Sequence, residues 1–141
     1  TSKIKTAADL FNLYTKGFRG EALASIAAIA QVELKSKRAE DDLGTLILVE
    51  GSEVVKQEPV STANGTTISM KNLFYNVPAR RNFLKTDQVE LRHIIEEFQR
   101  VVLIHADVEF TFSHNGDELF HLSASNLRQR IVNFFGKSLN E

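Results

Sequence analysis

The chain reads as an α+β protein. Three observations predict this. Helical and strand-like stretches fall in blocks: helices, a strand group, helices, a hairpin and a last helix. Gly51-Ser52 makes a turn between two apolar runs. Asn115-Gly116 between alternating segments is a strong hairpin signal, so the pairing it closes is antiparallel.

Taken in order, Ala7 to Tyr14 is a short helix with Ala8, Leu10 and Leu13 apolar, and Lys16-Gly17 breaks it. Glu21 to Gln31 reads as a helix with no charge after Glu21. A helix without a polar face is expected to be buried nearly all round. Val32 to Ser36 alternates apolar and polar residues as a half-buried strand does, and Thr45 to Glu50 forms a second strand. Val54 and Val55 follow the turn. Glu58-Pro59 and Asn64-Gly65 punctuate the next connection, and Thr66 to Met70 is another strand. Pro78 suits a first helical turn, with Arg80 to Lys85 completing a short helix. Thr86-Asp87 caps the next helix, along which Val89, Ile94, Phe98, Val101 and Val102 recur at helical spacing. Asp107 to Ser113 and Glu118 to Leu122 are the hairpin strands. Ser125 is expected to cap a final helix that Gly136 ends.

The 141 residues suffice for a domain with a core, and 43% hydrophobic with 25% charged content is ordinary for a soluble globular protein. No apolar run approaches membrane-spanning length, and no segment has a signal-peptide layout. The absence of cysteine excludes disulfides, thiolate metal sites and a cysteine nucleophile, which fits a cytoplasmic protein. A net charge of −1 lacks the basic footprint of an autonomous nucleic-acid binder. His93, His105, His114 and His121 show no ligand spacing, so no zinc site is expected. Ser113, His114 and Asp117 lie across a hairpin turn and are not read as a triad.

Gly17-Phe18-Arg19-Gly20-Glu21-Ala22-Leu23 is the most informative stretch. Two glycines flank an aromatic and a cation, and an acidic residue then opens a helix. Glycines free the backbone to fold tightly against a ligand, and a helix start offers N–H groups and partial positive charge to phosphate. From the residues alone, an ordinary turn and an anion loop both stay open. Arg19 suits a phosphate contact or an ion pair equally; Phe18 reads as packing, and Glu21 fits the first helical turn by dipole. Thr1, Ser2 and Lys3 are two hydroxyls and a cation at a terminus prone to fraying. Thr66 is either a polar ligand contact or a β-branched residue starting a strand. Tyr75, Asn76, Arg80 and Arg81 read as a loop-to-helix junction with capping and surface charge rather than a DNA contact.

The heptad GFRGEAL resembles the signature of the MutL family of DNA mismatch-repair proteins. Thr1-Ser2-Lys3-Ile4 is similar to the end of its HATSKI motif and Gly65-Thr66-Thr67 to its GTT motif. Leu73-Phe74-Tyr75-Asn76-Val77-Pro78-Ala79-Arg80-Arg81, then Phe83-Leu84, is similar to its LFYNxPARRxFL motif. The four motifs keep the family's order, and the resemblance runs from Thr1 to about His121. The resemblance implies the ATPase fold shared with DNA gyrase and certain heat-shock chaperones: two layers, a mixed sheet with helices on one face, here truncated. It implies that residues 1–124 are a partial ATPase domain and residues 125–141 the start of a second domain. It makes GFRGEAL a lid over the triphosphate of ATP, with N–H groups near Arg19 to Leu23 facing the γ-phosphate and Thr66 in the adenine region. The implied ATP-binding set is Thr1, Ser2, Lys3, Gly17, Phe18, Arg19, Gly20, Glu21, Ala22, Leu23 and Thr66. For the intact parent it implies ATP and Mg²⁺ as cofactors and a weak ATPase that homodimerises on ATP binding. Mismatch-recognition and downstream repair proteins, and DNA, are the implied partners.

No G-x-x-x-x-G-K-[ST] is present. The family uses instead an acidic residue and an Mg²⁺-holding asparagine on an early helix, then D-x-G-x-G, and the chain contains none of these in place. It is therefore read as an excised fragment with no catalytic residue, which neither hydrolyses ATP nor binds it tightly. With the early elements gone, apolar surface around Ala24 to Ala30 is expected to drive self-association. A topoisomerase or chaperone relative and a non-catalytic interaction domain are the alternatives; the former spell their lids differently.

Overall fold

The first of two compact units, Thr1–Phe83, is built on a four-stranded sheet in the order β3-β2-β1-β4. Its strands are β1 (Gln31–Lys37), β2 (Gly44–Glu50), β3 (Glu53–Val60) and β4 (Gly65–Lys71). The computed structural model describes residues 4–136, so Thr1, Ser2 and Lys3 of the expected site lie outside the described residues. Every pairing in this sheet is antiparallel. The class is α+β, as the block order predicts.

Alternation gives the sheet two unlike faces. Val32 stands opposite Val49 and Met70, and Leu34 opposite Ile47 and Ile68, so these six share one apolar face. The other face carries ion pairs: Glu33 meets Lys35 at 2.8 Å and Lys71 at 3.1 Å, and Lys56 meets Glu58 at 2.7 Å. Hydrogen bonds from Lys35 and then Lys71 hold the Glu33 carboxyl below its usual range. Gly51 (φ 56°) and Ser52 (φ 72°) close β2 onto β3, the positive-φ pair that matches strand twist in a two-residue hairpin. Pro59 does not end β3, contrary to its reading as punctuation; it pairs with Thr45 and the strand runs on to Val60. The reason is position: β3 is an edge strand, where a residue lacking an N–H leaves no ladder bond unmade on the open side.

A 3₁₀ helix, Ala7–Asn12, stands where the first helix is expected. Asp9 accepts from the Lys5 and Thr6 amides at 2.9 and 2.8 Å, which caps its start and lowers the Asp9 pKa. The helix expected over 21–31 is much shorter: α1 is Ala22–Ala27, followed by a turn into β1. Nor is it buried all round. Ala27 and Ala30 are buried, while Ala22, Leu23, Ala24 and Ser25 are exposed. The helix stops early because its last carbonyls are claimed from elsewhere in the unit, as described below. A short helix α2 (Pro78–Arg81) follows, with Pro78 in its first turn as expected, but it ends at Arg81 rather than running on to Lys85.

The second unit, Leu84–Glu141, contains α3 (Asp87–Ile104), the hairpin β5 (Phe110–His114) and β6 (Asp117–Leu122), and α4 (Leu127–Phe135). Its core is aromatic. Phe98 of α3 meets Phe112 at 4.9 Å and Phe120 at 5.9 Å between ring centroids, and Phe120 stacks on Phe134 at 4.9 Å. Asn115 (φ 52°) and Gly116 (φ 91°) make the expected turn. The first hairpin strand starts at Phe110 rather than Asp107, because Val108 N–H turns back to the His105 carbonyl. Ser125 does not cap α4. Its amide donates to the Ala106 carbonyl, and the Asn126 side chain takes the capping role by accepting from Gln129 N–H at 2.9 Å. Arg130 is fully buried, a feature the helical pattern of Ile131 and Phe134 gave no reason to expect. Its Nη2 donates to the carbonyls of Ala106, Val108 and Ser123, and its guanidinium lies 5.4 Å from the Phe110 ring centroid. No helix among the described residues is long and apolar enough to cross a membrane.

Candidate functional site

The Gly17–Leu23 stretch lies on the surface of the first unit. Phe18 is half-buried, whereas Arg19, Gly20, Glu21, Ala22 and Leu23 are exposed. Gly20 has φ 72°, a left-handed conformation that glycine adopts without Cβ strain. Gly17 does not use that freedom; its φ is not positive, and a Cβ there would meet open space. The Thr15 hydroxyl donates to the Gly17 carbonyl at 2.9 Å. Arg19 folds over the adjoining Phe18 ring at 6.0 Å from its centroid. Glu21 occupies the N-cap without a side-chain capping bond, and its carbonyl accepts Ser25 N–H at 2.9 Å.

Leu23, Ala24 and Ala27 of α1 face Val32, Leu34, Ile47 and Val49 across an apolar groove of about 330 Å³. So α1 lies over the apolar face of the sheet. Ser36 follows Leu34 by two residues on that face and pairs with Thr66. Their hydroxyls hydrogen-bond at 2.8 Å. Thr66 thus shares the face that α1 covers, about 7 Å along the strand from the Leu34 position. One hydroxyl of the pair donates to the other, which leaves the accepting partner's O–H to turn outward. Ser36 escaped the sequence reading; the alternation of β1 could have flagged it, but only the register reveals its partner.

The far end of α1 is held by the segment resembling LFYNxPARR. Ser52 N–H donates to the Ala27 carbonyl at 3.0 Å, Asn76 Nδ2 to the Ala28 carbonyl at 2.9 Å, and Phe74 N–H to the Ile29 carbonyl at 2.7 Å. Asn72 Nδ2 donates to the Gln31 side chain. These donors satisfy carbonyls that a longer helix would have kept for itself. Phe74 takes φ 63° to reach its position, and Asn72 takes φ 52°. A left-handed aromatic costs about 1–3 kcal/mol and persists only where surrounding bonds hold it. Asn76 therefore has a capping role, but on a helix 48 residues upstream rather than on its own junction. Arg80 and Arg81 are exposed on α2.

No protein-family model matches the chain. Over all 141 residues it is 64% identical to the DNA mismatch repair protein MutL of Christiangramia forsetii, and it spans 23% of that protein's length. It is 56% identical to MutL of Bacteroides fragilis, again over 23% of the relative. Among solved structures it is similar to the Aquifex aeolicus MutL ATPase domain complexed with ADP, with a TM-score of 0.78 and 30% identity, covering 93% of this chain and 52% of that one. It is also similar to the N-terminal domain of a DNA repair protein, with a TM-score of 0.73 and 25% identity, covering 89% of this chain and 40% of that one. Close identity along the whole chain, joined to the fold of the ATPase domain, settles the assignment: the chain belongs to the MutL family of DNA mismatch-repair proteins and corresponds to part of its ATPase domain.

Proposed function

We propose that this chain supplies the lid and one wall of an ATP site whose remaining parts belong to a longer mismatch-repair protein. The observation that carries the reading is the Gly17–Leu23 stretch, exposed except at Phe18, leading into a helix on the same sheet face as Thr66. The Aquifex MutL domain that shares the fold was solved with ADP. In this reading Gly20 lets the backbone bend, and the N–H groups from Arg19 to Leu23 approach the γ-phosphate. Thr66 lies near the adenine, and Thr1, Ser2 and Lys3 join the lid. Bound ATP supplies a γ-phosphate that the lid grips before hydrolysis and releases after it. Closure of the lid drives homodimerisation of the parent and recruitment of repair proteins to DNA in the cytoplasm. Residues 1–124 contribute to the ATPase domain, and residues from Ser125 lead into the next.

The described residues contain no group of three or more His, Asp or Glu side chains placed to hold a metal. They do not fit an Mg²⁺ site on their own. The expected outcome is a sharp difference by calorimetric titration with ATP and Mg²⁺. The full-length protein binds, and the 141-residue chain alone binds far more weakly than micromolar; micromolar binding by the short chain overturns this division of the site.

The apolar face carries a second expectation. Leu23 is 48% exposed and Met70 58%, and β4 is an edge strand without proline beside them. Exposed apolar area next to an open edge favours association. Light scattering on the isolated chain is expected to show concentration-dependent oligomers, and a clean monomer at high concentration refutes this.

A further inference from the structure

We infer that Asn76 is a positioning residue for the lid: with Phe74 and Ser52 it fixes the C-terminal end of α1, so that movement is confined to residues upstream of Ala24. The inference rests on the lid reading above and adds a part to it. Its basis is the row of donors on consecutive carbonyls. Ser52 N–H, Asn76 Nδ2 and Phe74 N–H meet Ala27, Ala28 and Ile29 at 3.0, 2.9 and 2.7 Å. They come from two separate turns, the β2–β3 hairpin and the segment after β4. Both turns hold non-glycine residues at positive φ, Ser52 at 72° and Phe74 at 63°, and both are tied to the sheet by strands of full length.

The two ends of α1 therefore differ in kind. The downstream end is riveted to a sheet and buries Ala27 and Ala30. The upstream end follows Gly20 at φ 72° and is exposed from Arg19 to Ser25. A segment held at one end and permissive at the other swings about the held end, and the geometry of the free end depends on where the rivet sits. Of the three donors, Asn76 is the one supplied by a side chain, so it is the one that substitution can remove without disturbing the backbone.

Asn76→Asp tests this in the full-length protein. The carboxylate keeps the shape of the amide but cannot donate to the Ala28 carbonyl. The expected result is at least a fivefold loss of affinity for a non-hydrolysable ATP analogue with less than a twofold change for ADP, since the lid's N–H groups are read as facing the γ-phosphate, which ADP lacks. Equal losses for both nucleotides, or no loss for either, overturn the inference, because a merely structural asparagine does not discriminate between them. Gly20→Ala separates the two levels of the argument. If it abolishes the preference for the triphosphate and Asn76→Asp does not, the anchor is wrong and the lid stands. If neither variant alters the preference, the lid reading falls and the anchor with it.

Discussion

Arg130→Met is expected to lower the stability of the chain by about 2–4 kcal/mol, read as a fall in the urea midpoint at unchanged slope. The opposing terms can be weighed. Burying a guanidinium is costly, and replacing a buried charge by an apolar side chain of similar volume is often neutral or better. Here the acceptors are backbone carbonyls, which stay in place whatever the side chain becomes. Ala106 keeps the Ser125 amide at 2.8 Å, but the carbonyls of Val108 and Ser123 lose the Arg130 donor. These bonds are part-buried and come from a charged donor, a class worth about 1.5–3 kcal/mol each, and losing two of them outweighs the desolvation that methionine relieves. Arg130 Nε and Nη1 are themselves buried without a hydrogen-bond partner among the described residues, so three of the five guanidinium N–H donors sit in an unfavourable environment. Arg128→Met, on the exposed side of the same helix, is the control and is expected to change stability by less than about 0.5 kcal/mol.

Gly44→Ala is the second large effect, expected at about 1–3 kcal/mol of destabilisation by the same measurement. Gly44 is buried at the start of β2. A Cβ there would stand 2.6 Å from Thr62 Cγ2, 2.7 Å from the Ser36 carbonyl oxygen and 3.0 Å from Lys37 Cβ. The Thr62 methyl can rotate away, but the Ser36 oxygen cannot. It belongs to β1, which pairs with β2 on one side and β4 on the other. Relief must come from a shift of the strand, and that shift moves the Ser36 hydroxyl off Thr66. Gly17→Ala, whose Cβ meets open space, is expected to leave stability within about 0.5 kcal/mol. Comparable losses at both glycines would show that the contact with Ser36 does not set the cost, since the chain-entropy effect of Gly→Ala is by itself stabilising.

Much of the site's chemistry was legible in residue order. The two glycines around Phe18-Arg19 marked the stretch proposed as the lid, and Gly20 takes a positive φ where Gly17 does not. Thr66 followed a glycine at the head of a strand, as expected. The end of α1 was not legible. Ala24 to Ala30 offers helical residues throughout, and nothing local says stop. The donors that stop it are Ser52, Phe74 and Asn76, dozens of residues downstream. In the same way, the apolar composition after Glu21 suggested burial on all sides, whereas burial depends on what the sheet presents to each side of the helix.

The amino-acid sequence by itself determined the family, the block order of helices and strands, and both tight hairpin turns. Each of these rests on contacts between near neighbours in the chain or on motifs contained in a short stretch. Tertiary structure alone decided where α1 ends, that β3 runs through Pro59 because it lies at an edge, that Arg130 sits inside, and that Thr66 shares the sheet face that α1 covers. These depend on strand order, register and distant hydrogen-bond partners, and such pairings join residues whose separation in sequence carries no local signal of their meeting.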